Sequence, residues 1–170
     1  EPQEHKPFSF NTALQFNNVG FSYSSGSDHV LKDGSFILKK GETIGLIGPS
    51  GAGKTSVADL LLRLFKPTAG EIMLDGVNVQ DIDLQAWRSH IGYVSQDIFM
   101  VNETIRRNIQ FYEDTISQEE IERAAKQAHI YDFIDGLPEG FDTIVGDRGV
   151  MLSAGQRQRI VLARVLARRP

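Results

Sequence analysis

The chain has 170 residues, of which 41% are hydrophobic and 24% are charged, and its formal net charge is −4. These values fit one globular domain and give no general attraction to nucleic acid. The absence of cysteine excludes disulfides and thiolate metal sites. No apolar run approaches the roughly 20 residues that a membrane-spanning helix requires. Any connection to a membrane is therefore expected to come through a partner or another part of the protein.

The first third of the chain is predicted to contain three strands. Residues 1–13 are polar and are predicted to be a linker. Apolar and polar residues alternate over 14–23, which predicts a strand, and residues 24–28 have the composition of a turn. A second strand is predicted around 36–38. The short apolar run 43–47 leads into glycine and is predicted to be a buried strand.

The middle of the chain is predicted to contain a helix, a hairpin and another buried strand. Apolar residues recur at helical spacing over 57–64. Residues 71–79 are predicted to form a hairpin, because Asp75-Gly76 separates two apolar runs. Residues 91–94 are predicted to be a buried strand.

The last part of the chain is predicted to be mainly helical. The stretch 104–134 has helical character, and Ser117 and Glu120 have the spacing of a capping box. Residues 137–149 are predicted to be a loop and 154–167 an amphipathic helix. Strands that alternate with helices indicate an α/β core.

Residues 48–55 fit the pattern G-x-x-x-x-G-K-[ST], between a predicted strand and a predicted helix, and we call them the phosphate loop. Glycines let backbone N–H groups approach triphosphate oxygens. Lys54 would supply a charge for the β- and γ-phosphates, and Thr55 a hydroxyl for Mg²⁺. The alternative is an accidental glycine turn before a helix. The predicted nucleotide contacts here are Gly48, Pro49, Ser50, Gly51, Ala52, Gly53, Lys54, Thr55 and Ser56.

The segment Leu152-Ser153-Ala154-Gly155-Gln156 resembles the signature motif of ABC ATPases, usually written L-S-G-G-Q. Ser153 lies 99 positions after Lys54, a separation that looks right for this family. The resemblance implies that ATP binds between the phosphate loop of one domain and the signature helix of a second, in a head-to-tail dimer. Ala154 departs from the usual glycine and is tolerable there if its φ is negative. The alternative is an ordinary serine-capped helix. The implied contacts are Ser153, Ala154, Gly155 and Gln156.

Three further segments are similar to the same family. The resemblance implies that Tyr23 stacks on adenine, whereas the alternative is an aromatic residue packed in the core. It also implies that Gln96 contacts Mg²⁺ or the attacking water, whereas the alternative is a solvated loop glutamine. Lys54 and Gln96 are thus the catalytic candidates, and Thr55 and Gln96 the candidate metal ligands. Residues 143–149 are similar to the loop before the signature in exporter-type members.

The resemblance implies a P-loop NTPase core of the ABC type, α/β in class, with an antiparallel β subdomain and an α-helical subdomain at about 97–155. Residues 14–170 would be a partial nucleotide-binding domain that lacks the C-terminal part of the core. In the family, a strand ending in Asp-Glu (the Walker B motif) and later a histidine follow a segment like 168–170. We therefore expect a truncated domain that binds nucleotide better than it hydrolyses it.

The resulting functional hypothesis is an ATPase domain that drives export, with a membrane-spanning domain before it in the same parent protein. This places the domain at the cytoplasmic face of a membrane. Trp87 would lie in the core or against membrane-domain helices. One alternative is a fragment that binds nucleotide without turnover. Another is a non-transport ABC ATPase, but the 99-position spacing leaves no room for the long coiled coil of such proteins.

Overall fold

The computed structural model of the chain describes residues 6–24 and 29–170. The chain forms two compact units, unit 1 (Glu1–Ile91) and unit 2 (Gly92–Pro170). Each unit has its own hydrophobic core. Most of the turn predicted at 24–28 lies outside the described residues, as does the first part of the predicted linker.

Unit 1 is built on an antiparallel four-stranded sheet of order β2-β1-β3-β4. Apolar residues of β1 such as Phe16 and Val19 are almost completely buried in the hydrophobic core of unit 1. The predicted antiparallel β subdomain is confirmed. The strands are β1 (Ala13–Phe21), β2 (Leu31–Lys39), β3 (Ala69–Leu74) and β4 (Val77–Asn78).

The predicted hairpin turn is confirmed and also anchors the start of β1. Asp75 and Gly76 both have positive φ, 48° and 82°, as a tight two-residue hairpin turn requires. The Asp75 carboxylate accepts hydrogen bonds from the backbone N–H groups of Asn11, Thr12 and Ala13, the last two at 2.8 Å. These bonds, led by those from Asn11 and Ala13, lower the pKa of Asp75.

The described part of the predicted linker contacts the rest of unit 1. The backbone N–H of Lys6 donates to the carbonyl of Asp81 at 2.9 Å. The Phe8 ring stacks on His90 with 4.0 Å between centroids and tilts against Trp87 at 5.8 Å. Residues 6–12 are thus tied to unit 1, and the boundary between linker and domain stays a prediction.

Unit 1 also contains two helices, α1 (Lys54–Leu61) and α2 (Leu84–Ser89). The predicted helix over 57–64 ends early because the chain turns into the left-handed region at Arg63, where φ is 52°. Sequence reasoning missed α2, which is short. Its N-cap is Asp83, whose carboxylate accepts from the N–H of Ala86 at 2.7 Å.

Two predicted buried strands, 43–47 and 91–94, are wrong. Neither segment is a strand, and Ile47 is 96% exposed. A strand needs a neighbouring backbone that accepts and donates its hydrogen bonds. Among the residues that the structure describes, no segment pairs with either run. An apolar composition is therefore not sufficient to predict a strand in these two segments.

Unit 2 contains four helices and, within its described extent, no strand. The helical stretch predicted over 104–134 is broken into three, because φ is positive at Phe111 and Tyr112, 43° and 66°, and again at His129, 53°. The longest helix has 14 residues. No helix in the described ranges is both long and apolar enough to cross a bilayer. The helices are α3 (Ile105–Gln110), α4 (Gln118–Gln127), α5 (Tyr131–Asp135) and α6 (Ala154–Ala167).

The capping box predicted at the start of α4 is confirmed. The Ser117 hydroxyl accepts from the N–H of Glu120 at 3.3 Å, and the Glu120 carboxylate accepts from the N–H of Ser117 at 3.1 Å. The backbone bond from Ser117 is the main reason that the pKa of Glu120 is lowered. The helices enclose a core of fully buried residues. They include Ile105, Ile109, Ile121, Ile134 and Ile160.

A largely buried arginine ties α6 to α3. The guanidinium of Arg164 donates to the backbone carbonyls of Asn108 at 2.7 Å and Phe99 at 3.0 Å, and it lies 4.1 Å from the centroid of the Phe111 ring. Burial, and to a lesser extent the charge of Arg168, lowers the pKa of Arg164 to about 10. Backbone carbonyls thus hold this charge inside unit 2.

Candidate nucleotide-binding site

The phosphate loop turns sharply into α1 at two glycines. Gly51 and Gly53 have φ values of 81° and 82°. A Cβ atom at Gly53 would lie 2.8 Å from Cδ2 of Leu31 and 3.1 Å from the carbonyl oxygen of Val30. Both the backbone angle and the lack of space therefore require glycine at position 53.

The N-terminal end of α1 has no side-chain cap. Among the described residues, the amides of Gly53, Lys54, Thr55 and Ser56 have no protein acceptor, whereas Ala52 donates to the carbonyl of Pro49 at 3.2 Å. The first turn of α1 also contains no acidic residue. Unpaired amides and the positive end of the helix dipole together favour an anion at this position.

The ammonium group of Lys54 lies at the beginning of the phosphate loop. Its Nζ atom donates to the carbonyl of Gly48 at 2.8 Å and to that of Pro49 at 2.7 Å. Ser50 and Thr55 are exposed, so the Thr55 hydroxyl is accessible on the first turn of α1. The structure therefore brings together the amides, the ammonium and the hydroxyl that the sequence motif predicts, all within unit 1.

Tyr23 lies against α1 with its ring partly exposed. Its hydroxyl is 2.9 Å from the Ser56 hydroxyl and donates to Asp59 at 3.4 Å. The ring packs edge-on against Phe21 and Phe65 but is 53% exposed, so the alternative of a core aromatic does not describe it. Sequence reasoning missed Asp59. The signal was its position three residues after Ser56, which puts both side chains on one helix face.

The signature segment forms the start of α6. The Ser153 hydroxyl accepts from the N–H of Gln156 at 3.3 Å, and the Gln156 side chain accepts from the N–H of Ser153 at 2.8 Å. The alternative of a serine-capped helix therefore describes the observed geometry. Ala154 is the first helical residue, so its φ is negative and its methyl group is tolerated. Gly155 is exposed, with open space where a Cβ atom would be.

Gln96 is exposed in a segment of unit 2 without helix or strand. It lines an open pocket together with Ala154 of the signature segment, and the walls also include Asp147, Arg148 and Arg157. Within unit 2 the structure thus brings Gln96 and the start of α6 to the same surface, which sequence reasoning did not anticipate. The roles of these two segments toward ATP stay predictions.

A sequence model of the ABC transporter family matches residues 31–170, most of the chain. The chain belongs to the ABC transporter family. The match includes the phosphate loop and the signature segment, and it confirms the resemblance from which the ATP-binding fold was expected.

Proteins similar to this ABC transporter chain include named exporters. The chain is 45% identical to an ATP-dependent lipid A-core flippase of Haemophilus influenzae over 92% of its own length and 27% of the flippase. It is 39% identical to a putative multidrug export ATP-binding/permease protein of Bacillus subtilis, covering 100% of the chain and 29% of that protein. A solved bacterial Atm1-family ABC exporter with ATP bound matches with a TM-score of 0.91 and 38% identity, over 100% of the chain and 30% of the exporter. The chain spans less than a third of each relative.

Proposed function

We propose that the chain binds MgATP through the phosphate loop and the first turn of α1. The observation that carries this proposal is the set of amides from Gly53 to Ser56 that have no acceptor among the described residues. Among the described residues the Lys54 ammonium donates to two neutral carbonyl oxygens, which phosphate oxygens can replace with a stronger, charge-assisted bond.

The other predicted site residues complete this proposal. The Tyr23 ring is exposed beside α1 and would stack on the adenine base. The Thr55 hydroxyl of unit 1 would supply an oxygen ligand to Mg²⁺, and a similar role for Gln96 of unit 2 stays what the family resemblance implies. Mg²⁺ commonly keeps several waters and takes further ligands from substrate phosphates, so a small number of protein oxygens is compatible with it. The metal would neutralise charge on the β- and γ-phosphates during transfer.

We further propose that ATP binding and hydrolysis drive export in the complete transporter. The named relatives include an ATP-dependent flippase and a putative multidrug export protein, and the solved relative is an exporter with ATP bound. In this proposal two such domains close head to tail. The signature segment from Ser153 to Gln156 then contacts the γ-phosphate of the ATP that the partner domain holds. A membrane-spanning domain of the complete transporter would hold both domains at the cytoplasmic face of the membrane.

Titration of a fluorescent ATP analogue in the presence of Mg²⁺ tests the binding proposal. Lys54→Ala removes the ammonium from the phosphate loop and is expected to abolish most of the binding. Lys126→Ala is the matched control, because it removes the same charge from α4, where Lys126 lies 4.6 Å from the ring centroid of Tyr131. Equal affinity in the parent and Lys54→Ala proteins would contradict the proposal.

Phosphate release from MgATP separates binding from turnover. We expect residues 1–170 to bind nucleotide better than they hydrolyse it, because binding uses amides and Lys54 whereas in-line attack also needs a positioned water. Steady phosphate release by this chain, lost in Lys54→Ala, would show that turnover needs no further segment. Binding without release would favour the alternative of a module that only binds nucleotide.

A further inference from the structure

We propose that α2 holds the C-terminal end of α1 in place and thereby positions the phosphate loop, with Trp87 and Arg88 as the positioning residues. This inference rests on the proposed function, because it concerns the same nucleotide site. The hydrogen bonds of both residues to this region go to residues 61–63 at the far end of α1 from the phosphate loop, so each would act on the phosphates through α1.

Three side-chain donors from α2 reach the end of α1. The Trp87 indole Nε1 donates to the carbonyl of Leu61 at 2.7 Å. The Arg88 guanidinium donates through Nε to the carbonyl of Leu62 at 3.0 Å and through Nη2 to that of Arg63 at 3.1 Å. These contacts satisfy carbonyls at the helix terminus that lack helical partners. Arg88 also supplies the positive charge that the last turn of α1 lacks.

The contact is reciprocal. Arg63, just past the end of α1, donates to the carbonyls of Ile82 at 2.7 Å and Gln80 at 3.3 Å, on the segment that leads into α2. Burial and the nearby charge of Arg88 lower the pKa of Arg63. Two like charges are therefore held close together by backbone carbonyls, which fixes the end of one helix against the start of the other.

This attachment matters because α1 is not stable by itself. It has eight residues, and isolated helices shorter than about 12 residues are marginal in water. Its N-terminal end is uncapped, so its buried face, the Tyr23 hydroxyl beside Ser56 and its C-terminal end hold it before a ligand arrives. A fixed α1 presents the amides of Gly53 to Ser56 already ordered, which lowers the entropic cost of binding the phosphates.

The test compares arginine variants in the titration with fluorescent MgATP. Arg88→Gln is expected to weaken binding about three- to tenfold, since charged hydrogen bonds to α1 are lost. Hydrogen exchange of the amides from Val57 to Leu62, which are hydrogen-bonded in α1, should become faster in the same variant. Arg88→Lys keeps the charge but lacks the planar guanidinium group, so its affinity for MgATP should lie between those of the parent protein and Arg88→Gln. Arg106→Gln is the matched control, because Arg106 pairs with a carboxylate, Asp142, in unit 2.

Trp87→Phe supplies an independent variant that keeps an aromatic ring but deletes the donor to Leu61. It should weaken ATP binding in the same direction, and it decides the test if Arg88→Gln does not fold. Unchanged affinity in the folded variants overturns the proposal, including when their melting temperature is lower, since that result indicates a purely structural role. If Lys54→Ala also binds ATP normally, the proposed function fails as well.

Discussion

The N-terminal ends of α1 and α6 differ in how their first backbone amides are capped. Both helices begin with amides that have no intrahelical acceptor. At α6 a serine and a glutamine form a reciprocal capping box. At α1 the preceding residue is Gly53 in the left-handed conformation, without any side-chain cap. The start of α6 is capped by its own side chains, whereas the start of α1 leaves the amides from Gly53 to Ser56 without an acceptor among the described residues.

The difference in capping between α1 and α6 has a consequence for stability. An N-cap contributes about 1 kcal/mol, and α1 lacks that contribution until an anion supplies it. The longer helix, α6, keeps its own cap and packs into the core of unit 2 through residues such as Ile160. We therefore expect substitutions at α1 to change nucleotide affinity, and substitutions at α6 to change stability when no nucleotide is present.

Of the substitutions that test this difference between α1 and α6, Gly53→Ala is expected to have the largest effect. An alanine would carry the strained positive φ at a cost of about 1–2 kcal/mol, and its Cβ atom would meet Leu31. Binding of fluorescent MgATP should therefore fall at least about tenfold. Gly41→Ala is the control, because Gly41 also has a positive φ but has open space around it and lies outside the phosphate loop. Similar ATP affinity in the parent and Gly53→Ala proteins would mean that the loop geometry is not needed.

Ser153→Ala should destabilise the chain by about 1 kcal/mol, because it removes the cap of α6. Urea denaturation without nucleotide measures this loss. Ser117→Ala, at the other capping box of unit 2, should cost about as much. Ser50→Ala is the contrast: this serine precedes α1 without capping it, so its loss should stay within about 0.5 kcal/mol. Equal losses at Ser50 and Ser153 would remove the proposed difference between the two helices.

Gly155→Ala should stabilise the chain slightly, by up to about 1 kcal/mol, because alanine is the better helix former. Gly155 lies in the first turn of α6 with no atom within 4 Å of the position of a Cβ atom. Replacement of glycine by alanine is thus expected to weaken nucleotide binding at position 53 and to stabilise the fold at position 155. A lower urea midpoint for Gly155→Ala, measured without nucleotide, would contradict the exposed helical position that the structure assigns to it.

The smallest effect is expected from Asp75, which caps backbone amides at the start of β1. Its folded-state pKa lies below the unfolded value, so the ionised group stabilises the fold above a pH of about 4. That contribution is lost as the pH falls through the folded-state pKa. In Asp75→Asn the free energy of unfolding should therefore fall less steeply as the pH is lowered. An acid profile as steep in Asp75→Asn as in the parent protein would refute this role.

Features that depend on neighbours along the chain could be predicted from the sequence. The phosphate loop, the Asp75-Gly76 turn and the capping box at Ser117 each follow from residue types at fixed short spacings. The family motifs extended this to the fold class, whereas the pairing of the phosphate loop with the signature segment of a second domain stays a prediction. The structure reproduces the local geometries of the loop, the turn and the capping box.

Features that depend on distant partners could not be predicted. The run 43–47 has strand composition, but no described segment pairs with it. The helix predicted over 104–134 is interrupted because Phe111 and Tyr112 leave helical φ, for which a single sequence carries no clear signal. The bond from Trp87 to Leu61 joins residues 26 positions apart, and no short motif encodes it.

The position of Trp87 gives the chain an intrinsic spectroscopic probe. It is the sole tryptophan among the 170 residues, it is 3% exposed, and its indole is bonded to the last residue of α1. Emission excited selectively in this indole therefore originates at the opposite end of the helix from the phosphate loop. A change in the environment of the C-terminal end of α1 can thus be followed in unlabelled protein.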